Sequence, residues 1–241
     1  MRANGPELAG MPVGKKISYW ARSFLGTPYD TDPLGRYVRL RRIVVDDAVD
    51  CIYLTFRSTE LAMSSTPDEA AEKALELRFI TKGKRSGALV ENYGERFKYG
   101  EDMIDSGKWG TEITSKLART VKIKGTRGRG DVAIIPRDGF LTIAKGNASP
   151  LRDGDIVFFI MPPEKRRADE IVGHIGIVEV KDGTPYLIHA SGRKNSAKSK
   201  GNGSVRSVSL PEYAKNMRFI GVRLTRFEQP QGGDILPRSQ Q

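Results

Sequence analysis

Sulfur and imidazole are scarce in this sequence: it has one cysteine and two histidines among 241 residues. A lone cysteine cannot close an intramolecular disulfide. With two histidines it supplies too few ligands for a zinc site if its thiol is to stay free. No metal and no cofactor is therefore expected. Long apolar runs are also missing. Nothing approaches the ~18 consecutive apolar residues of a membrane span, so no membrane span is expected. The first residues carry no apolar signal core. That leaves two expectations: a cytoplasmic protein, or an envelope, periplasmic or secreted one from which an export signal has been removed. Aromatic-rich nucleic-acid motifs and zinc-finger spacings are absent, and nucleic acid is not an expected partner.

Positive charge is in excess. Lys and Arg number 40 against 29 acidic residues, for a net charge of +11. Basic residues gather at 36–42, 82–85, 122–129, 165–167 and 193–200. Most such clusters are solvated faces, but the total favours anionic partners such as the carboxylates and phosphates of cell-envelope polymers.

The hydrophobic share of 38% is enough for a core. Residues 1–14 read as a flexible arm and 229–241 as a tail. Between them, 15–228 reads as one domain, with a helical half over about 15–120 and a β half over about 131–228. Apolar spacing predicts helices at 17–25, 51–63 and 66–79. The last has Thr66 as cap, Pro67 at the first position and Glu69 closing a capping box. Residues 36–45 alternate and read as an edge strand or extended arm. The segment 88–106 reads as helical or irregular, anchored by Tyr93, Phe97 and Met103. Residues 83–87, 122–130 and 194–203 read as basic, Gly-containing loops. Strands are expected at 132–135, 140–144, 156–161, 171–180, 186–190, 205–210 and 219–225. Helices followed by strands make an α+β fold.

The cysteine, Cys51, falls at the start of the second predicted helix, behind Asp46, Asp47 and Asp50. The positive end of a helix dipole favours a thiolate there. The two histidines, His174 and His189, lie in strands joined through Asp182-Gly183, a strong two-residue hairpin turn. That turn pairs Lys181 with Thr184, Val178 with Leu187 and Gly176 with His189. Side chains alternate faces, so His174 and His189 share one face, a diagonal step of ~7 Å apart. Gly176 leaves the space between them open. A thiol at a helix start with two histidines on one sheet face is the material of a Cys–His–X triad: Cys51 as nucleophile, His174 as base, and His189 orienting the imidazole.

Five blocks in order resemble the NlpC/p60 cysteine peptidases: Gly26-Thr27-Pro28-Tyr29, Asp50-Cys51, Gly154 to Phe159, Gly173 to Val178, and Leu187 to Ala190. Cys51, Thr55-Phe56, Leu61-Ala62 and the stretch from Tyr93 to Gly110 resemble more closely the N-acetylmuramoyl-L-alanine-amidase-like family. Two departures stand out. Two extra residues separate Cys51 from Thr55-Phe56, and Lys98-Tyr99-Gly100 replaces a His-Tyr-Phe. The resemblance implies a compact papain-like fold, with a helical half carrying the cysteine packed on a small antiparallel sheet or barrel carrying the histidines. It implies cysteine-dependent hydrolysis of an amide bond in peptidoglycan peptides through a thioester acyl-enzyme, with Cys51, His174 and His189 as the triad. Stem peptides are then the implied partner, alongside anionic wall polymers. Asp50 either binds a free substrate amine or only caps its helix; Tyr29 either closes the pocket or belongs to the core. Arg96 is a candidate for a substrate carboxylate. Two other functions stay open: a thiol acyltransferase on the same scaffold, and a non-catalytic module binding cell wall or nucleic acid.

Overall fold

The computed structural model describes residues 8–145, 148–166, 170–192 and 203–228. The first seven residues of the expected arm, nearly all of the 194–203 loop and the 229–241 tail lie outside the described residues.

The helical part comes first: α1 (Val13–Ser23), α2 (Arg36–Arg39), α3 (Cys51–Ala62), α4 (Pro67–Leu77), a β1–β2 ribbon (Arg85–Ser86, Leu89–Val90) and α5 (Gly100–Asp105). Then follow β3 (Thr111–Glu112), α6 (Thr114–Leu117), β4 (Val121–Lys124), β5 (Asp131–Pro136), α7 (Arg137–Lys145) and β6 (Ile156–Ile160). The chain continues through β7 (Val172–Lys181), β8 (Thr184–Ser191), β9 (Ser204–Ser209), α8 (Leu210–Asn216) and β10 (Gly221–Arg226). Strands β4 to β10 form an antiparallel sheet in the order β4-β5-β10-β6-β7-β8-β9, with β3 added beside β10. This is a mixed α/β molecule with an antiparallel sheet, as the sequence pattern suggests.

The sheet is covered on both faces. Along β6, Ile156, Phe158 and Ile160 join the core beneath α1 and α3, while Val157 and Phe159 join the core beneath α7 and α8. Burial on both sides explains why β6 reads as an unbroken apolar run. On the α3 side, Phe56 stacks on Trp109 at 4.8 Å between centroids. Both rings are fully buried, and burying such a side chain is worth roughly 1.5–3 kcal/mol.

Helix α3 is also held by ions. Glu60 is fully buried and accepts from Arg78 Nη2 at 2.6 Å and Arg57 Nη1 at 3.3 Å. Arg57 reaches back to Asp46 at 2.9 Å, and Asp46 also accepts from the Tyr53 hydroxyl. Arg78 Nη1 closes the network on the Ile43 carbonyl at 2.8 Å. Arg78 lies 5.0 Å from the Tyr53 ring, so its charge meets a π face as well as a carboxylate.

Helix α4 starts with Thr66 as its cap, as predicted, Thr66 Oγ1 accepting from Glu69 N; Glu69 accepts from Ser65 N, one residue before the cap, rather than closing the box on Thr66 N. Tyr93, Phe97 and Met103 are buried anchors as expected. Helix α1 begins at Val13, so the last two residues of the expected arm are helical, and Leu8 is buried in the core. Gly14 fits tightly there, because a Cβ would meet the Asp153 carbonyl oxygen at 2.2 Å.

Other expectations fail. Residues 36–39 form a helical turn rather than a strand, because the buried Asp30 carboxylate accepts from Arg36 N and Asp32 N and caps it. Residues 140–144 are helical: Phe140 and Ala144 are the buried pair, four apart, which is a helix face and not a strand alternation. Residues 122–124 pair with β5, and Arg127 and Arg129 of the following turn are tied to Asp102 of α5. Arg85 and Ser86, expected in a loop, pair with the strand at Leu89–Val90.

Candidate active site

Cys51 is the first residue of α3, and Asp50 is its cap, accepting from Tyr53 N at 2.6 Å. The segment before the helix brings in Tyr29. Val49 N donates to the Pro28 carbonyl and Asp30 N to the Val49 carbonyl, so Tyr29 runs beside the residue preceding Asp50. Tyr29 N also donates to the Gly203 carbonyl at 3.0 Å, which fixes this segment against the start of β9.

The histidines come from the β7–β8 hairpin. Its turn residues, Asp182 and Gly183, have φ of 49° and 76°, the double positive φ that an Asp-Gly hairpin turn requires. The register is Lys181 with Thr184, Val180 with Pro185 and Val178 with Leu187, as predicted. His174 Nε2 and His189 Nδ1 lie 2.8 Å apart. At Gly176 a Cβ would meet Leu187 Cδ1 at 2.5 Å, so the space expected to stay open between the rings is filled by Leu187. The β6–β7 pairing shifts register between Phe159 and Ile160, beside Gly173 and His174. Bulges of this kind re-aim a side chain. The His174 ring stacks on Phe219 (interplanar angle 10°) and on Phe159 (30°).

Cys51, His174, His189 and Tyr29 line one cleft of about 440 Å³, completed by Gly173, 190–192, Tyr213, Asn216, Met217, Arg218 and Phe219. Asp50 stands behind Cys51 and is outside this lining. Arg96 is outside it too. Its Nη1 donates to the Tyr93 carbonyl at 3.1 Å, and its charge is one of the influences that lower the Asp50 pKa. The α8 residues and the turn after them are the part of the cleft wall that the sequence reading missed. The signal was present: Ser209 is the N-cap and Pro211 lies in the first turn of α8, a helix-start signature.

Electrostatics run against the expected thiolate. Burial first, then the Asp50 charge, pushes the Cys51 thiol up to about 12. The backbone N–H groups of Ile175, Cys51 and Ile52 pull the other way but are outweighed. Burial pushes His174 down to about 3, helped by His189 and Arg218, and pushes His189 down to about 4, helped by Arg206 opposite it in β9. The thiol and both imidazoles of this cleft are therefore neutral. Asp50 is pushed up to about 6 by burial, against the Tyr53 N–H bond. Burial, then Cys51, Asp50 and Asp30, raises the Tyr29 phenol above its usual range. No cluster of metal-ligating side chains occurs among the described residues.

No protein-family model and no curated protein sequence matches this chain. Solved structures do. The chain is similar to an N-acetylmuramoyl-L-alanine amidase from Bacteroides uniformis, at 18% identity and a TM-score of 0.66, over 90% of this chain and 99% of that one. It is similar to a Legionella pneumophila protein of the family DUF1460, at 18% identity and a TM-score of 0.67, over 93% and 91%. It is also similar to a Bacteroides fragilis structure whose name proposes a xylanase, at 17% identity and a TM-score of 0.63, over 87% and 99%. At these identities the likeness is one of fold.

Proposed function

We propose that this chain is a cysteine hydrolase that cleaves an amide bond in peptidoglycan stem peptides, with residues 15–228 as a single papain-like catalytic domain related to the NlpC/p60 peptidases. The observation that carries this reading is the cleft joining Cys51 at a helix N-terminus to two histidines in hydrogen-bond contact. The name of the Bacteroides uniformis neighbour supports the substrate class, as does the net charge of +11. The xylanase name does not fit this cleft. Glycoside hydrolysis ordinarily uses two carboxylates flanking the bond, and no Asp or Glu is among the described residues lining it.

In this reading His174 donates from Nε2–H to His189 Nδ1, which leaves His174 Nδ1 as the nitrogen free to take the thiol proton. Because the resting pair is neutral, His174 takes the Cys51 proton as the sulfur attacks the carbonyl, so base catalysis replaces a preformed ion pair. The backbone N–H of Cys51 stabilises the oxyanion. The imidazolium then protonates the leaving amine, and neutral His174 activates water to hydrolyse the thioester. His189 remains an acceptor throughout, because burial and Arg206 keep it unprotonated. Asp50 serves as helix cap; Tyr29 closes one end of the cleft. Arg96 acts on Asp50 rather than on a substrate carboxylate.

The test is mass spectrometry of a muropeptide digest treated with wild type and with Cys51→Ala. Wild type is expected to release defined fragments whose masses name the bond, and Cys51→Ala none. Equal fragments from both proteins would remove Cys51 from the chemistry. Rapid acylation of Cys51 by an acyl donor, with no muropeptide cleaved, would move the reading to an acyltransferase.

A further inference from the structure

The cleft at Cys51 does not end at His174. A second cavity of about 740 Å³ abuts it, and Gly173 and Arg218 line both. Its walls carry three cations, Lys165, Arg166 and Arg218, and two acids, Glu164 and Glu170. The acids do not cancel the cations. Glu170 accepts from Val172 N at 2.8 Å and lies 3.5 Å from Arg127, which leaves Glu164, exposed like Lys165 and Arg218, as the one acid without such partners. Arg166 is spent on carbonyls, donating to Met161 and Lys124. Arg218 and Lys165 have no ion-pair partner among the described residues; Arg218 only rests over the Phe219 ring, 5.4 Å from its centroid.

The cations outnumber the acids in this cavity, so the groove is positive beyond His174. A peptide laid along it places its carboxylates at Arg218. A guanidinium fits a carboxylate with two parallel hydrogen bonds, and such charge-assisted pairs are about twice as strong as neutral ones.

We propose that the cavity beyond Gly173 is a carboxylate-binding extension of the active-site cleft, with Arg218 as its principal anchor and Lys165 as a second. It selects substrates whose chain carries free carboxylates on the His174 side of the scissile bond. This rests on the reading above for the identity of the substrate, but the binding of a carboxylate peptide is separable from its cleavage.

The experiment uses the Cys51→Ala protein, which binds without turnover. Calorimetry measures its affinity for acetyl-L-Ala-D-Glu-L-Lys with both carboxylates free and for the same tripeptide as its bis-amide. The free acid is expected to bind about tenfold more tightly, a difference of about 1.4 kcal/mol. Arg218→Gln is expected to abolish that preference, and Lys165→Gln to reduce it, with amide affinity changed less than twofold. Acid and amide binding alike, or a preference that survives Arg218→Gln in a folded protein, overturns the proposal. Turnover by the wild type separates the two claims. If the acid binds through Arg218 but no muropeptide is cleaved, the hydrolase reading falls and the anion site stands. If muropeptides are cleaved but acid and amide bind equally, the reverse holds. A loss that is equal for acid and amide in Arg218→Gln would mark an effect through His174, whose pKa Arg218 also lowers, and would likewise overturn the proposal.

Discussion

Helix α3 and the β7–β8 hairpin face the same cleft and are built on opposite principles. Behind Cys51, the helix is fastened by buried ions: Glu60 between Arg78 and Arg57, with Asp46 and the Tyr53 hydroxyl completing the set. Behind the histidines, the hairpin is fastened by apolar interlock, with Leu187 filling the notch over Gly176 and Phe159 and Phe219 stacked on His174. The difference shows where charge is tolerated. The buried ions Glu60, Arg57 and Arg78 each have several partners. At Cys51, His174 and His189, burial without such partners leaves the thiol and both imidazoles neutral.

The comparison breaks most sharply at Glu60. Glu60→Leu strands the fully buried Arg78 without its carboxylate, and removing one partner of a buried pair costs about 3–5 kcal/mol. Denaturant melts should show a loss of that size, while Glu60→Leu with Arg78→Met should recover most of it. A small loss in the single variant would mean that the Ile43 carbonyl and the aromatic faces suffice for Arg78. The hairpin fails by a different route. Gly176→Val drives a side chain into Leu187, and overpacking of this kind costs about 1–3 kcal/mol. Because it also wedges the two strands that carry the histidines, activity is expected to fall by more than stability alone explains, read as kcat/KM at a temperature where the variant is folded.

The neutral histidines give the hairpin its own pH dependence. His189 is buried, with a pKa pushed down to about 4, below the ordinary ~6.5. Between those values the unfolded chain binds a proton that the folded chain refuses, so stability falls on acidification through this window. At pH 5 the loss relative to pH 7 is about 2 kcal/mol. Asp50 and Glu170, pushed up to about 6 and about 7, act in the opposite sense, so the effect is read as a difference. The melting temperature of His189→Gln should fall less than that of wild type between pH 7 and pH 5, and equal falls would contradict the neutral assignment. The smallest effect belongs to the α4 cap, remote from the cleft: Thr66→Ala removes the bond to Glu69 N and is expected to cost about 1 kcal/mol with kcat/KM unchanged.

Much of the site was legible because it rests on local chemistry. Asp182-Gly183 dictates its own turn, the turn dictates the register, and the register places His174 and His189 on one face. Asp50 as cap and Cys51 as first helical residue follow from equally local signals. What escaped depends on tertiary context. Residues 36–39 became helical through the Asp30 carboxylate, and 140–144 because a short apolar run reads as strand or helix until its buried pair is known. Strand β4 gains its order from β5, and the basic turn that follows from the acids of α5. The Cys51 pKa was misjudged for the same reason: the helix dipole can be read from sequence, but the burial that outweighs it cannot.

The most direct test of the account is to quench a muropeptide digest in acid at short times and search the enzyme by intact-mass and peptide-mapping spectrometry. The account predicts a thioester adduct on the peptide containing Cys51, adding the mass of the carboxylic-acid product less one water, that decays with turnover in wild type and is missing in Cys51→Ala. Steady cleavage by Cys51→Ala, with no adduct on the wild-type enzyme, would contradict it.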